Sequence, residues 1–169
     1  TAQLLHVERY LDDDMPQVLP SLQPQLERDW VLSSTDTLGE ALIRLVLLEW
    51  SASELDADEV AEQAAHWSGD LLQVWGKPDG ADAVVWQTVW DSSRSAANFY
   101  STLVEMMPRP LVPGLINDTM IPAKLLGGRW WAGPQGAVTL YRSTNRVLLV
   151  WGTDAPTVET LAITARLAH

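Results

Sequence analysis

Between residues 37 and 107 the spacing of apolar positions changes from helical to alternating and back to helical. In "TDTLGEALIRLVLLEW", Leu38, Leu42, Leu45 and Val46 form one stripe, and Ile43, Leu47 and Trp50 form a second. Two stripes predict a helix buried on more than one side. Thr37 with Glu40 reads as its capping box, and Glu40 with Arg44 as a favourable i,i+4 pair. "SELDADEVAEQAAHW" predicts a second helix, with Ser53 as N-cap and a small-residue face of Ala57, Val60, Ala61, Ala64 and Ala65. The period then drops to two. "DLLQVW" and "AVVWQTVW" read as strands joined through the turn residues Pro78, Asp79 and Gly80. Val84, Trp86, Thr88 and Trp90 share one face and Val85 and Val89 the other, and both faces are apolar enough for a central strand. Asp91 or Ser92 caps a third helix, "SRSAANFYSTLVEMM", whose stripe is Ala96, Phe99 or Tyr100, Leu103 and Met107.

Residues 108–125 carry four prolines and read as irregular. "GRWWA", "GAVTLYR" and "RVLLVWG" predict further strands, the last two joined by a tight turn at "STN". Asp154 caps a final helix that tolerates Pro156 in its first turn. Residues 1–34 hold Pro16, Pro20, Pro24 and the run Asp12–Asp14 without a sustained period, and read as an extended arm with one short helical turn. The arm is expected to lie across the outer side of the first long helix, whose second stripe the sheet cannot serve. The fold class is therefore α+β, an antiparallel sheet of about five strands with helices mainly on one face. "VVWQTVWDSS" and "VLLVWGTDAP" each run into a helix and suggest two ββα units. The arm spans 1–34 and a single α+β domain spans 35–169.

Composition narrows the function. A chain of 169 residues fits one domain with a sizeable core. The formal net charge of −11 repels phosphate backbones and anionic lipid, which disfavours nucleic acid and membrane surfaces. No apolar run is long enough to cross a bilayer. Cysteine is absent, which excludes disulfides and thiolate chemistry. The start at Thr1 fits a removed leader or a domain of a longer protein. Nine tryptophans against one phenylalanine raise the question of a binding surface. Trp50, Trp67, Trp75, Trp86, Trp90 and Trp151 occupy apolar registers and are expected in the core. Trp130 and Trp131 are adjacent, point to opposite faces of a strand and cannot both enter one core. With Arg129 beside them they form the expected binding patch, suited to stacking on a sugar or anchoring a partner.

Catalytic patterns are missing. His6, His66 and His169 are dispersed, so no metal ligand set and no cofactor is expected. No P-loop, nucleophile elbow or dinucleotide fingerprint occurs. Asp70 and Asp91 flank one hairpin and could pair as carboxylates, yet their places after a glycine and before a helix suit backbone capping. His66 at a helix C-terminus favours the dipole.

The stretch "AAHWSGDLLQVWGKPDGADAVVWQTVWDSSRSAANFY" carries Ala64, Ala65, Trp67, Gly69, Asp70, Trp86, Thr88, Trp90, Asp91, Ser92, Ala97 and Phe99. In these it resembles the C-terminal region of uncharacterised exported bacterial proteins of the Chloroflexi type and of haloarchaeal surface proteins. Their pattern is G-W-G-G-D-R-Y, then V-W-x-T-x-W-D-S. The opening segment, through Thr1, Gln3, Leu5, His6 and Tyr10, is similar to the segment that precedes this region there. Ser68 and Leu71 depart from the pattern, replacing a glycine and an arginine. The resemblance implies an extracytoplasmic setting and an upstream domain like a zincin peptidase. The residues that carry the resemblance read as structural in their own right, Trp67, Trp86 and Trp90 by apolar register, Asp70 and Asp91 as caps and Gly69 at the helix-to-strand turn. The expected function is a non-catalytic accessory or interaction domain with a protein or peptide partner. A small carboxylate-dependent hydrolase or a carbohydrate-binding module is the alternative. An enzyme should show a concave pocket holding perturbed carboxylates, and a binding domain an aromatic or apolar patch without them.

Overall fold

The computed structural model describes residues 5–12, 15–24, 26, 29–51, 55–106, 116–117 and 127–167. Ser53, Met107 and most of the segment 108–125 lie outside these residues. A five-residue helix α1 (Val7–Leu11) precedes strand β1 (Val31–Asp36), helix α2 (Gly39–Trp50) and helix α3 (Ala57–Ala65). The hairpin β2 (Trp67–Gly76) and β3 (Asp82–Trp90) leads into α4 (Ser93–Met106). Strands β4 (Ile116–Asn117), β5 (Arg129–Gly133), β6 (Gly136–Ser143) and β7 (Arg146–Gly152) then precede α5 (Ala155–Leu167).

All strands join one antiparallel sheet in the order β1-β2-β3-β7-β6-β5-β4. It has six strands of five residues or more and a two-residue strand at one edge, so the class is α+β with more strands than the sequence pattern indicated. The extra strands come from the segments read as arm and as irregular. β1 reads "VLSSTD", and as an edge strand it exposes nearly every residue, so no alternation marks it. Sheet structure therefore begins at Val31, inside the span assigned to the arm.

The sheet has a core on each face. On the first, Trp86, Trp90, Trp131, Val138, Leu140 and Leu149 meet α2, α3 and α4 through Ile43, Leu47, Val60, Phe99 and Leu103. On the second, Val85, Trp130, Ala137, Leu148 and Val150 meet α5 through Val158, Leu161, Ala162 and Ala165. Of the four longer helices among the described residues, three thus lie on one face and one on the other. Both β2-β3-α4 and β6-β7-α5 exist, but their helices lie on opposite faces although β3 and β7 are adjacent and antiparallel. A two-fold axis between β3 and β7 would keep both helices on one face, so the two units are not related by that axis.

From Gln17 onward the described part of the arm lies on the α5 side, while His6 near its start reaches Glu40 of α2. Leu19 packs with Leu71 and Val89, and Leu22 and Trp30 join the second core. The backbone N–H of Gln17 donates to the carbonyl of Ser68 (2.7 Å). Gln73, fully buried, accepts from the N–H of Leu22 and donates to Ser21 Oγ, both at 2.9 Å. Gly69 permits this approach, since a Cβ there would stand 2.4 Å from the Gln17 carbonyl oxygen. The expectation that the arm covers the outer side of α2 is therefore corrected. Leu42, Leu45 and Leu48 remain exposed there.

Candidate functional site

Asp70 organises the first face. Its side chain is 4% exposed and accepts four N–H groups. Oδ1 takes the backbone N–H of Gly39 (2.9 Å) and the indole N–H of Trp67 (3.0 Å). Oδ2 takes the backbone N–H of Leu38 (2.9 Å) and the indole N–H of Trp86 (3.2 Å). The Thr37 hydroxyl donates to the Asp70 carbonyl. Asp70 is thus the cap of α2, reaching it from β2, and the capping box expected from Thr37 and Glu40 does not form. Glu40 is buried instead, pairing with Arg44 as expected and with His6 (2.9 Å). The cap of α3 is likewise Asp56, boxed with Glu59. One carboxylate therefore ties the start of α2 to the indole of Trp86, which also meets Phe99 edge-on at 5.8 Å.

Those two anchored parts are wall and floor of a cleft of about 440 Å³, its open mouth included. Leu38, Val46 and Trp50 of α2 form the wall. Leu72, Val84, Trp86, Leu149 and Trp151 form the floor across β2, β3 and β7. Among the described residues no charged residue and no hydroxyl or amide side chain lines it. Seven of the nine tryptophans are buried, and the other two, Trp50 and Trp151, both line this cleft. Their apolar registers placed them in the core. What the sequence could not show is that α2 and α4 leave the sheet between them partly uncovered.

The binding patch expected at Arg129, Trp130 and Trp131 is corrected. The two indoles do face opposite ways, but a core awaits each, and they are 6% and 3% exposed. Arg129 is exposed, and its charge acts on Tyr100. Burial pushes the Tyr100 phenol above its ordinary value, and the charge of Arg129 only partly offsets this.

The remaining polar cluster holds together the ends of α3 and α4. His66 Nδ1 lies 2.7 Å from Asp91 Oδ2, and Ser95 Oγ donates to Asp91 Oδ1 at 2.7 Å. Ser92 accepts the backbone N–H of Ser95, so Ser92 is the cap of α4. Asp91 N–H donates to the His66 carbonyl (3.0 Å). Burial raises the Asp91 carboxyl, but hydrogen bonds from Ser95 and His66, the His66 charge and Ser92 outweigh it, leaving it below the usual range. The carboxylate sits between serine and imidazole, whereas a base must touch its nucleophile. Trp90 is buried against Phe99 at 4.4 Å and donates to Thr88 Oγ1, so it belongs to the core. Among the described residues no group of three or more His, Cys, Asp or Glu is placed to hold a metal ion. No described helix is long and apolar enough to cross a membrane.

Residues 28–163, from just before β1 to within α5, match the family described as "Domain of unknown function (DUF8575)". All eight cleft residues fall inside this span. Comparison with curated proteins and with solved structures gave no match.

Proposed function

The chain belongs to the DUF8575 family, and from the cleft in that shared domain we propose a non-catalytic interaction domain. It receives an apolar segment of a partner polypeptide between α2 and the sheet. The observation that carries this reading is the lining, apolar throughout and continuous with exposed leucines outside the mouth. On the helix surface Leu42 falls between Leu38 and Val46, and Leu45 lies beside it. Leu42 is 43% and Leu45 59% exposed, so the apolar surface runs on beyond the volume a small molecule would fill. The anchoring of Trp86 and Leu38 by Asp70 supplies a floor and wall formed in advance of binding, which lowers the cost of ordering on association. The described lining offers no carboxylate for hydrolysis and no polar side chain for sugar hydroxyls, which speaks against the enzyme and carbohydrate readings. An extracytoplasmic accessory role beside a peptidase-like domain is part of the proposal and rests on the resemblance of the Trp67–Phe99 region.

The neutral fluorophore N-phenyl-1-naphthylamine tests the cleft through energy transfer from Trp50 and Trp151. Saturable one-to-one binding is expected, lost in Val84→Glu. A capped helical peptide with leucine at i and i+4 should displace the probe, while its serine counterpart should not. Leu42→Glu should weaken the peptide and spare the probe. Unsaturable binding, or equal binding by Val84→Glu in a folded protein, would sink the proposal.

A further inference from the structure

The opposite face of the sheet carries a second cavity of different chemistry. It encloses about 440 Å³ with its mouth, between the sheet, the end of α5 and Leu19 of the arm. Its floor is built by register. Leu148 on β7 has Gln87 of β3 on one side and Tyr141 of β6 on the other. One step along the same face, Arg146 of β7 pairs with Ser143 of β6. Arg166, in the last turn of α5, stands over the Tyr141 ring with its guanidinium carbon 4.1 Å from the ring centroid. Two guanidinium groups, hydroxyls and a buried amide therefore share one cavity, and none of its described lining residues is acidic. That runs against the composition of the chain, which has 22 acidic and 11 basic residues.

We infer that this cavity binds a monocarboxylate carrying an apolar body. Arg146 and Arg166 each also engage other groups of the chain, which hold them in place. A guanidinium offers five N–H donors, more than a single partner takes up. The Tyr141 ring holds the Arg166 guanidinium over the cavity, and planar forks suit carboxylate oxygens. Leu19, Leu148 and the Tyr141 ring give the apolar body a surface to cover. A phosphate dianion would gain nothing from that surface and would meet twice the repulsion from a chain of net charge −11. The carboxylate belongs either to a free organic acid or to the C-terminus of a peptide, which share this chemistry.

Backbone amide NMR of the full chain is the test, with 3-phenylpropionate, N-acetyl-Ala-Phe and the amide of that dipeptide as probes. At least one acid should shift the Tyr141, Ser143 and Arg146 signals saturably at millimolar concentration. Removing the ligand's charge, or both guanidinium groups by Arg146→Gln with Arg166→Gln, should weaken binding about tenfold or more. A response to 3-phenylpropionate alone assigns free acids, and a response to the dipeptide acid assigns a peptide end. If the double variant fails to fold, Ser143→Glu at the exposed rim is the substitute, and its added charge should abolish binding. No saturable shift with either acid, equal binding of the amide, or unchanged binding in the folded variants would overturn the inference.

Discussion

Asp70 shows what one residue can do when its oxygens outnumber the local donors it was expected to serve. Its place after Gly69 marks it in the sequence as a capping residue, and it does cap. The helix it caps lies more than thirty residues earlier, a long-range partner that no local pattern contains. Asp70→Asn is nearly isosteric but turns one acceptor into a donor, facing two N–H groups with a third. Unsatisfied buried donors cost about 1–3 kcal/mol each, so the variant should lose roughly 2–5 kcal/mol by chemical denaturation. A loss below half a kcal/mol would mean that the four contacts do not coexist. Asp91 gives a prediction in pH. Its carboxyl is lowered in the folded state, so its contribution is present above the ordinary aspartate range and lost as pH falls through the lower folded value. Carboxyl NMR should find it titrating below the model-peptide value in the wild type and closer to that value in Ser95→Ala. The adjacent indoles at 130 and 131 were misread for a different reason. Their alternation was legible, but a patch followed only if the sheet had one core, and it has two.

The elements were legible where burial leaves an apolar pattern and obscure where no face is buried. β3, β6 and β7 are buried on both faces and show as apolar runs bounded by turns, and α4 follows its stripe with Phe99 inward and Tyr100 half-buried. β1 is the opposite case: a polar edge strand, its register broken by a bulge between Leu32 and Ser34. That bulge and the two-residue β4 leave the sheet with edges ill-suited to further pairing. The α3 cap shows how a stronger signal nearby displaces an expected one. Asp56 with Glu59 is the better box, since both reciprocal hydrogen bonds form there. Asp56→Ala should cost about 1 kcal/mol, read from the thermal or denaturant midpoint, and no measurable change would place the cap elsewhere. Helix α2 has two apolar stripes as its sequence indicates, yet only one is fully covered. The other supplies the wall and rim of the cleft.

At the scale of the whole molecule different elements cover the two faces. The first is covered by α2, α3 and α4, the second by α5 and the arm from Leu19 onward. This division explains why the tryptophans are so many and so seldom exposed: each face of the sheet needs its own large apolar fillers. It also makes the arm structural, which can be tested apart from the cleft. Deleting residues 1–24 removes Leu19 and Leu22 and strips Gln73 of both its hydrogen-bond partners. Burying a leucine contributes about 1.5–3 kcal/mol, so the two together predict a loss of roughly 3–6 kcal/mol in denaturant unfolding. Gly69→Ala reaches the same end without deletion, because its Cβ would collide with the Gln17 carbonyl and force the arm away. Gly69→Ala should still bind N-phenyl-1-naphthylamine as the wild type does, since the cleft lies on the other face and the variant keeps His6, whose partner Glu40 lies in α2. Loss of probe binding in Gly69→Ala would mean that the faces are coupled. Wild-type stability in both proteins would mean that the arm merely rests on the sheet.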